Sequence, residues 1–350
     1  MIKGYLDYAA TCPEVKFPID TTKQWRNPNA AYAYEERKVL MDCEQRIKAA
    51  IGAKSGHVLY FRCATDAIEW LYSQFSTEWT WWAHSPYEHD AAVYGSEEMP
   101  DQLDDATDFY CHQLINQLTG QLHDIKTVYE QLTQYANKPF LICDCTAAIH
   151  HISLRATKVC QYANAVVTSG HKYGCPDIAF MWIDDRLFNW LGGGKDMRNQ
   201  WGLKHGSISI GHVLALTEAV EWACDSERID ANEWHCTNLG VRLNLKLDKA
   251  GIEHEWIGDG DDQIAAINAI RLNGLNADAS QQYVASKGCY IGVGASACAG
   301  AHDYRVLVDG YGLTEQEASE VIRVSFDENS TVDDVDALVE CIKEYRDKFC

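Results

Sequence analysis

A polar turn between two apolar segments carries three side chains that could do chemistry together. The stretch from Val166 to Asp184 reads VVTSGHKYGCPDIAFMWID, and its turn holds Ser169, His171 and Lys172. A lysine amine in a partly desolvated pocket is deprotonated more easily, and it can then form a Schiff base with a carbonyl carbon. The serine hydroxyl and the imidazole could bind a phosphate from the same turn. The alternative interpretation is a solvated loop with no chemical role.

Two other positions offer chemistry that would complement the lysine. The stretch Cys63–Asp66 precedes a predicted helix, and backbone N–H groups with the Thr65 hydroxyl at a helix N-terminus can bind phosphate. The same residues also fit an ordinary N-cap. Asp144 closes the apolar stretch FLICD, where a carboxylate is costly unless it is paired. It could cap a helix, bind a metal or hold a protonated ring nitrogen, and no second carboxylate lies nearby in sequence to support the metal.

These residues follow predicted strands of an α/β core. Strand and helix patterns alternate from about residue 50 to residue 220, which is typical of a mostly parallel sheet. Ligand sites in such sheets lie beyond the carboxyl ends of the strands, where Thr65, Asp144 and the turn with Lys172 fall. Later in the chain the pattern changes to that of a smaller α+β domain. The predicted helices include Tyr32–Ile51, Leu122–Tyr135, Gly211–Ala223 and Asn232–Ala250, and the predicted strands include His57–Phe61, Pro139–Asp144, Ala165–Thr168, Ile178–Asp184, Gln263–Leu272 and Cys289–Gly292.

Composition and charge exclude several classes of function. The 350 residues are 47% hydrophobic and 23% charged, as in a soluble globular protein. A formal net charge of −21 argues against nucleic acids and anionic membrane surfaces as partners, because both require Lys/Arg patches. No apolar run approaches the ~20 residues that span a bilayer, and the first residues, MIKGYLDYAA, do not read as a signal peptide. We therefore expect a cytoplasmic protein.

The 14 cysteines do not form a recognisable metal or disulfide framework. They are scattered, with no C-x-x-C pair, and the close pair Cys143/Cys145 does not resemble a tetrahedral zinc site. We expect most of them to be reduced, buried and chemically inert, and we expect no metal. A catalytic cysteine has to stand apart by its context.

Together, a Schiff-base lysine, an acidic partner for a ring nitrogen and a phosphate cup are what pyridoxal 5'-phosphate requires. In this order the motifs resemble those of the cysteine desulfurases of the class V aminotransferase group, which are fold-type I pyridoxal-phosphate enzymes. The resemblance covers nearly the whole chain. It rests on YLDYAAT (5–11), the Asn-Pro stretch from residue 26, CATDA (63–67), EHDAAV (88–93), DCTAA (144–148), SGHKYG (169–174), LGGG…GLKHGS (191–207), GASACAG (294–300) and VIRVSFDENS (321–330).

The resemblance implies a role for each matching residue. Lys172 attaches the cofactor covalently, Asp144 keeps its ring nitrogen protonated, and His89 stacks on the ring and moves protons. Arg323 pairs with the substrate carboxylate, and Cys298, on a loop of small residues, is the nucleophile that receives sulfur as a persulfide. Further residues implied to bind the cofactor or substrate are Ala64, Thr65, Asn116, Gln117, Ser169, His171 and Ser207 for the cofactor and Asn27 for the substrate.

The resemblance also implies the architecture and the partners. It predicts a large cofactor-binding α/β domain over residues 13–225 and a small α+β domain over residues 1–12 plus 226–350, which carries Cys298 and Arg323. Ser207 stands where the family has a threonine that reaches the neighbouring subunit's phosphate, so we expect a homodimer. The substrate is L-cysteine, the product is L-alanine, and a sulfur-acceptor protein of unknown identity takes the persulfide.

Four departures from the family pattern affect this interpretation. Ala147 replaces a glutamine that contacts the cofactor's ring oxygen, and the asparagine with the same contact corresponds to Gln117 or to Asn116. An Arg-Ser-Gly-Thr turn is here Lys204–Ser207, and the chain ends at Cys350 without the longer tail that docks a scaffold protein in some members. Two alternatives stay open: a related class V lyase or aminotransferase such as a selenocysteine lyase, and a non-catalytic descendant that acts as a binding or scaffold protein.

Overall fold

The chain divides into two compact units. The computed structural model describes residues 4–13, 15, 17–74, 81–93, 103–175, 177–258, 260–294 and 304–349. The larger unit comprises Cys12–Leu114 and Asp124–Ser226, and the smaller one comprises Met1–Thr11, Ile115–His123 and Glu227–Cys350. The predicted division into residues 13–225 and residues 1–12 plus 226–350 did not set apart the short segment Ile115–His123.

A six-stranded sheet forms the core of the larger unit. Its strands are β1 (His57–Phe61), β2 (Trp81–His84), β3 (Thr107–Gln113), β4 (Phe140–Asp144), β5 (Ala165–Ser169) and β6 (Ala179–Ile183). They lie in the order β1-β6-β5-β4-β3-β2, and only β6 runs against the others. Every residue of β4, β5 and β6 is buried, as expected for strands that are covered on both faces. The predicted α/β fold with a mostly parallel central sheet is confirmed.

Eight helices of the larger unit lie within its described residues. They are α1 (Tyr34–Ile51), α2 (Ala64–Ser73), α3 (Asp90–Val93), α4 (Ile125–Leu132), α5 (Leu154–Thr157), α6 (Val159–Tyr162), α7 (Asp185–Trp190) and α8 (Ile210–Ala223). Helix α4 is shorter than the predicted Leu122–Tyr135, because the Asp124 side chain accepts the Lys126 N–H and caps the helix there. Helix α1 ends at Gly52, which adopts the left-handed conformation with φ 78°.

A four-stranded antiparallel sheet forms the centre of the smaller unit. Its strands are β7 (His254–Ile257), β8 (Ile267–Leu272), β9 (Gly292–Val293) and β10 (Val321–Ser325), in the order β7-β8-β10-β9. Its helices are α9 (Ser226–Lys249), α10 (Ala277–Ser286), α11 (Glu315–Ala318) and α12 (Val332–Phe349). The N-terminal segment adds single bridges from Tyr5 to Tyr290 and from Asp7 to Ser325. This arrangement places Asp7 beside the end of β10.

Within the described ranges, no helix is both long and apolar enough to cross a membrane. The twelve described cysteines are all free thiols, and eight of them are buried. Burial raises the pKa of the thiols of Cys43, Cys111, Cys143, Cys160 and Cys236, so these side chains stay protonated near neutral pH. These thiols have the inert character that the sequence predicts.

Candidate functional site

The turn that carries Lys172 is held in shape by backbone packing. It leaves β5 at Ser169 as a short 3-10 turn, Gly170–Tyr173, and ends at Gly174, which is left-handed with φ 77°. Gly170 donates its N–H to the Ile178 carbonyl at 2.9 Å. A Cβ atom at Gly170 would lie 2.2 Å from the Cys175 carbonyl oxygen, so the turn closes only around a glycine. The sequence places Lys172 inside this fixed turn.

The register of the sheet brings three of the predicted positions to the same edge. Ser169 and Phe61 are both paired with Ala179 of β6, so the ends of β5 and β1 lie two strand spacings apart, about 10 Å. Asp144, the last residue of β4, is paired with Val167 of the parallel β5. Because parallel strands end at one edge of a sheet, the aspartate and the lysine turn are neighbours there.

Two buried hydroxyls at this edge have no hydrogen-bond partner within the described part of the chain. They are Ser169 Oγ, at the end of β5, and Thr146 Oγ1, two residues beyond β4. Buried hydroxyl groups are normally paired, since leaving one unpaired costs about 1–3 kcal/mol. Asp144 is itself buried, and its Oδ1 accepts the Thr146 N–H at 2.8 Å. The two hydroxyls therefore indicate a ligand at the ends of β4 and β5.

The predicted phosphate turn lies at the start of α2. Cys63 is the N-cap, and its thiol sulfur accepts the Asp66 N–H at 3.4 Å, so the side chain of Thr65 does not act as the cap. Ala64 is buried and Thr65 is half-buried. Lys204, which sequence analysis did not assign to the site, places its ammonium 4.5 Å from the centre of the Phe61 ring and 3.3 Å from the Tyr60 carbonyl. A positive charge thus accompanies the helix N-terminus at the end of β1.

Ser207 and Asn27 lie on exposed turns of the larger unit. The Asn27 side-chain oxygen accepts the Asn29 N–H at 3.0 Å, so it stabilises its own turn. The Asn29 amide in turn donates to the Gly206 carbonyl at 3.1 Å, next to Ser207. The structure therefore joins these two turns to one another. The substrate role of Asn27 and the cofactor role of Ser207 stay predictions.

His89, His171 and Lys172 lie close enough to interact through their charges. Burial, together with the charges of Lys172 and His89, lowers the pKa of His171 to about 4, so its imidazole is neutral at pH 7. The Nδ1 atom of His89 accepts the Ala91 N–H at 3.1 Å, which leaves the ring proton of neutral His89 on Nε2. This arrangement joins the predicted proton-transfer residue to the lysine turn.

Glu88 is a buried acid that sequence analysis passed over. Its side chain is fully buried, and its Oε1 accepts the Ser85 hydroxyl at 2.5 Å and the Gln113 N–H at 2.7 Å. Burial and the charge of Asp144 raise the pKa of Glu88 to about 7, against the lowering effect of these hydrogen bonds. The only signal in the sequence was its place directly before His89.

In the smaller unit, Arg323 lies at the centre of β10 and is almost fully buried. Its Nη2 donates to Asp7 Oδ1 at 2.8 Å and its Nη1 donates to the Gln117 carbonyl at 3.2 Å, while Nε has no partner among the described residues. A Cβ at Gly292 would lie 2.7 Å from Nη2 and 2.8 Å from Asp7 Oδ1. The fork of the arginine is therefore held by an internal carboxylate and a backbone carbonyl, and its Nε–H is left for another acceptor.

Of the remaining predicted residues, the structure describes Asn116 and Gln117 and does not describe Cys298. Asn116 is fully buried, and its side-chain oxygen accepts the N–H groups of Leu118 and Thr119 at 2.9 and 3.0 Å, so that oxygen stabilises the turn of its own segment. Gln117 is buried and uses its backbone carbonyl for Arg323. Cys298 lies outside the described residues. Over the described ranges, no group of three or more His, Cys, Asp or Glu side chains could hold a metal ion.

Comparisons with known proteins address the family and the fold of the chain. The family model of class-V aminotransferases matches residues 84–338. A putative cysteine desulfurase NifS of Halalkalibacterium halodurans is 20% identical, with 98% of each chain aligned. The NifS-like protein of Rickettsia africae superimposes with a TM-score of 0.80 at 16% identity over 99% of both chains. A cysteine desulfurase of Thermococcus onnurineus, solved in its apo form, gives a TM-score of 0.73 at 14% identity over 98% of this chain and 94% of its own.

The match to the family model extends over more than half of the chain, and the two solved structures share its fold from end to end. The lysine turn, the aspartate at the end of β4 and the N-terminus of α2 all lie at the strand ends where a fold of this kind places its ligand. The chain belongs to the class-V aminotransferase family and has the fold of the NifS-like proteins.

Proposed function

We propose that the protein is a pyridoxal-phosphate-dependent cysteine desulfurase, which converts L-cysteine to L-alanine and collects the sulfur as a persulfide on Cys298. The observation that carries the proposal is the buried hydroxyl of Ser169, which has no partner within the described chain. It lies three residues before Lys172 and at the same sheet edge as Asp144. A phosphate group would supply the missing acceptor.

The residues present fit this cofactor. Lys172 would attach it, Asp144 would hold its ring nitrogen, and Ser169, His171, Ala64 and Thr65 would hold its phosphate. Neutral His171 can donate a hydrogen bond to a phosphate, and the dipole of α2 favours an anion at its N-terminus. When bound, the cofactor supplies an electron sink that stabilises negative charge at the substrate's α-carbon.

Ala147 removes one family contact to the cofactor's ring oxygen, and the oxygen of Asn116 is used inside its own turn. The hydroxyl of Thr146 is a buried group without a described partner in the same stretch. We therefore expect cofactor binding to persist with altered contacts on that side. The side chains proposed to hold the cofactor's ring nitrogen and phosphate support the proposal independently of Ala147 and Asn116.

The chain's own residues then have separate tasks. His89 keeps its ring proton on Nε2 and can pass it to a substrate atom. Arg323 binds the substrate carboxylate with the donors of its fork. The thiolate of Cys298 forms a bond to the substrate sulfur while the substrate's carbon–sulfur bond breaks. The electron pair of that bond stays on carbon, which takes up a proton and becomes the methyl group of alanine.

Cys298 is favoured as the nucleophile because most of the described thiols are unsuited to the task. Eight of the twelve described cysteines are buried, and burial raises the pKa of several of them. A nucleophilic cysteine has to reach the thiolate form and a solvent-accessible position. The run of small residues around Cys298 in GASACAG suits a segment that carries sulfur to an acceptor.

Incubation with L-cysteine and the cofactor tests the proposal directly. We expect stoichiometric alanine, sulfide in the presence of a reductant, and a persulfide on Cys298 that is detectable by mass spectrometry. Cys298→Ala should abolish turnover and keep the visible absorption of the lysine-bound cofactor, whereas Lys172→Ala should lose both. The matched control is Cys224→Ala, which removes a half-buried thiol of the larger unit and should behave as wild type.

The outcomes separate the alternatives. Absence of alanine from cysteine but turnover of selenocysteine would assign the protein to a related lyase. Absence of the visible band even with excess cofactor would favour a non-catalytic protein. Full activity of Cys298→Ala would refute the role of that cysteine alone. The exposed position of Ser207 supports the expected homodimer, which sedimentation tests.

A further inference from the structure

Glu88 lies where a buried charge would be most costly. It is fully buried, and the ionisable groups that interact with it include Asp144 and Cys143 on β4, Cys111 and Tyr110 on β3, and Tyr72 on α2. Burial and the charge of Asp144 both favour the protonated form of Glu88. The hydrogen bonds of Glu88 show what its carboxyl does in the structure.

The Glu88 carboxyl ties the segment before His89 to strand β3. Its Oε1 receives the Ser85 hydroxyl and the Gln113 N–H, and its Oε2 lies 3.7 Å from Cys111 Sγ. The same segment is fixed by the Ser85 N–H to the Cys111 carbonyl and by the Gln113 amide to the Tyr87 carbonyl. Because His89 directly follows Glu88 in the chain, these hydrogen bonds fix the backbone position from which the His89 imidazole extends.

The same strand also leads to Asp144. Gln113, whose N–H binds Glu88, is the register partner of Asp144 in the parallel pair of β3 and β4. The Leu114 N–H donates to the Asp144 carbonyl at 2.9 Å. One peptide strand therefore lies between the two acids, and the charge of Asp144 favours the protonated form of Glu88.

We propose that Glu88 is a positioning residue that works as a neutral acid and fixes the segment bearing His89 to β3. The inference rests on the proposed function only in giving His89 a proton to transfer. A neutral side chain with the same shape should therefore replace Glu88, whereas a shorter one should not. Glu88 has no contact with the substrate in this role.

The pH dependence has a definite sign. The pKa of Glu88, raised to about 7 from its ordinary value of 4.5, means that the folded protein binds more protons than the unfolded chain between these two values. Its contribution to stability is present below pH 4.5 and is lost as the pH rises through 7. Glu88→Gln removes that part of the dependence.

The test uses the ligand-free protein, so it does not depend on desulfurase activity. Infrared difference spectra between wild type and Glu88→Gln should show a protonated carboxyl band that fades around pH 7 in wild type and is absent from the variant. Glu44→Gln is the matched control. Glu44 is equally buried but faces His57 at 3.4 Å and Lys48 at 3.7 Å, so its substitution should leave the band in place.

A second arm tests positioning. In the cofactor-loaded enzyme at pH 6, Glu88→Gln should retain turnover within about twofold of wild type. Glu88→Ala, which leaves the Ser85 hydroxyl and the Gln113 N–H without their acceptor, should lose at least about tenfold. A wild-type spectrum with no protonated carboxyl near pH 6, or the same band in Glu88→Gln, would overturn the proposal. So would a Glu88→Gln protein as impaired as Glu88→Ala.

Discussion

Buried polar groups lack described hydrogen-bond partners at the strand ends of the larger unit, whereas the buried arginine of the smaller unit is largely paired. At the ends of β4 and β5, the hydroxyls of Thr146 and Ser169 are buried without a partner among the described residues. On β10, Arg323 is equally buried, yet two of its nitrogens already bind Asp7 and a backbone carbonyl. The first region has buried hydroxyls available to a ligand. The second already holds a carboxylate, which under the proposed function a substrate carboxylate has to share or replace.

Among the substitutions that compare the two regions, we expect the largest loss of stability at Arg323. Arg323→Met leaves Asp7 without its cation, and removing one partner of a buried ion pair costs about 3–5 kcal/mol. We expect a loss of about 3 kcal/mol, because the Asp7 side chain is 20% exposed and water can reach it. Urea unfolding of the ligand-free protein measures this loss.

Arg198→Met is the control for this substitution. Arg198 pairs with Asp196 at 2.6 Å, but the two side chains are 51% and 49% exposed, so the free energy of unfolding should hardly change. Equal losses for the two variants would show that the pair on β10 has no special role.

The next effect tests whether the lysine turn depends on its tight closure. Gly170→Ala places a methyl group 2.2 Å from the Cys175 carbonyl, and such overpacking costs about 1–3 kcal/mol. Gly240→Ala in α9 meets no atom within 4 Å and should stabilise its helix by about 0.5–1 kcal/mol. Thermal unfolding of both variants provides the comparison, and a neutral Gly170→Ala would mean that the turn can open.

Replacing Ser169, whose buried hydroxyl has no described partner, is expected to stabilise the ligand-free protein and to weaken cofactor binding. Ser169→Ala removes a buried group without a described partner, so the ligand-free protein should gain about 1 kcal/mol. The same change should weaken pyridoxal phosphate about 10- to 100-fold, because a hydrogen bond to a charged group contributes about 1.5–3 kcal/mol. Unfolding curves and cofactor titrations measure the two quantities. A destabilised ligand-free variant would indicate that Ser169 has another partner.

The smallest effect is the response of His171 to an anion. Its pKa is lowered from 6.5 to about 4, so the folded protein binds fewer protons than the unfolded chain and loses stability as the pH falls from 6.5 through 4. Inorganic phosphate at the site should raise this pKa by about one unit, because an anion favours the imidazolium. NMR titration with and without phosphate follows the shift, and an unchanged pKa would place the anion elsewhere.

Much of the core could be predicted because its strands are short apolar runs between polar turns. His57–Phe61 was predicted to the residue, and Ala165–Ser169 to within one. Strands β2 and β3 were not predicted, since WWAH is short and TDFYCHQ alternates only partly. They matter for function, because β3 is the strand that Glu88 binds.

The roles of individual acids and amides depended on tertiary contacts. Glu88 belongs to the motif EHDAAV, but the sequence could not show that it is buried, because its burial comes from strands β3 and β4, which are distant in sequence. Asn116 was predicted as a cofactor ligand, and its oxygen accepts two N–H groups of its own turn, so its cofactor role stays a prediction. Local sequence cannot show which hydrogen bonds a side chain has already made.

The sequence by itself determined the family and predicted the chemistry of the lysine turn, because both follow from residue types in a fixed order. Lys172, Asp144 and Thr65 each follow an apolar strand, and that spacing alone predicts a common sheet edge. The tertiary structure decided which buried polar groups are satisfied and which are not: Ser169 is left without a described partner, Arg323 is paired with Asp7, and Glu88 is buried and bound to strand β3. The physical reason is that hydrogen bonding and burial depend on residues far apart in the chain, whereas motifs depend on neighbours.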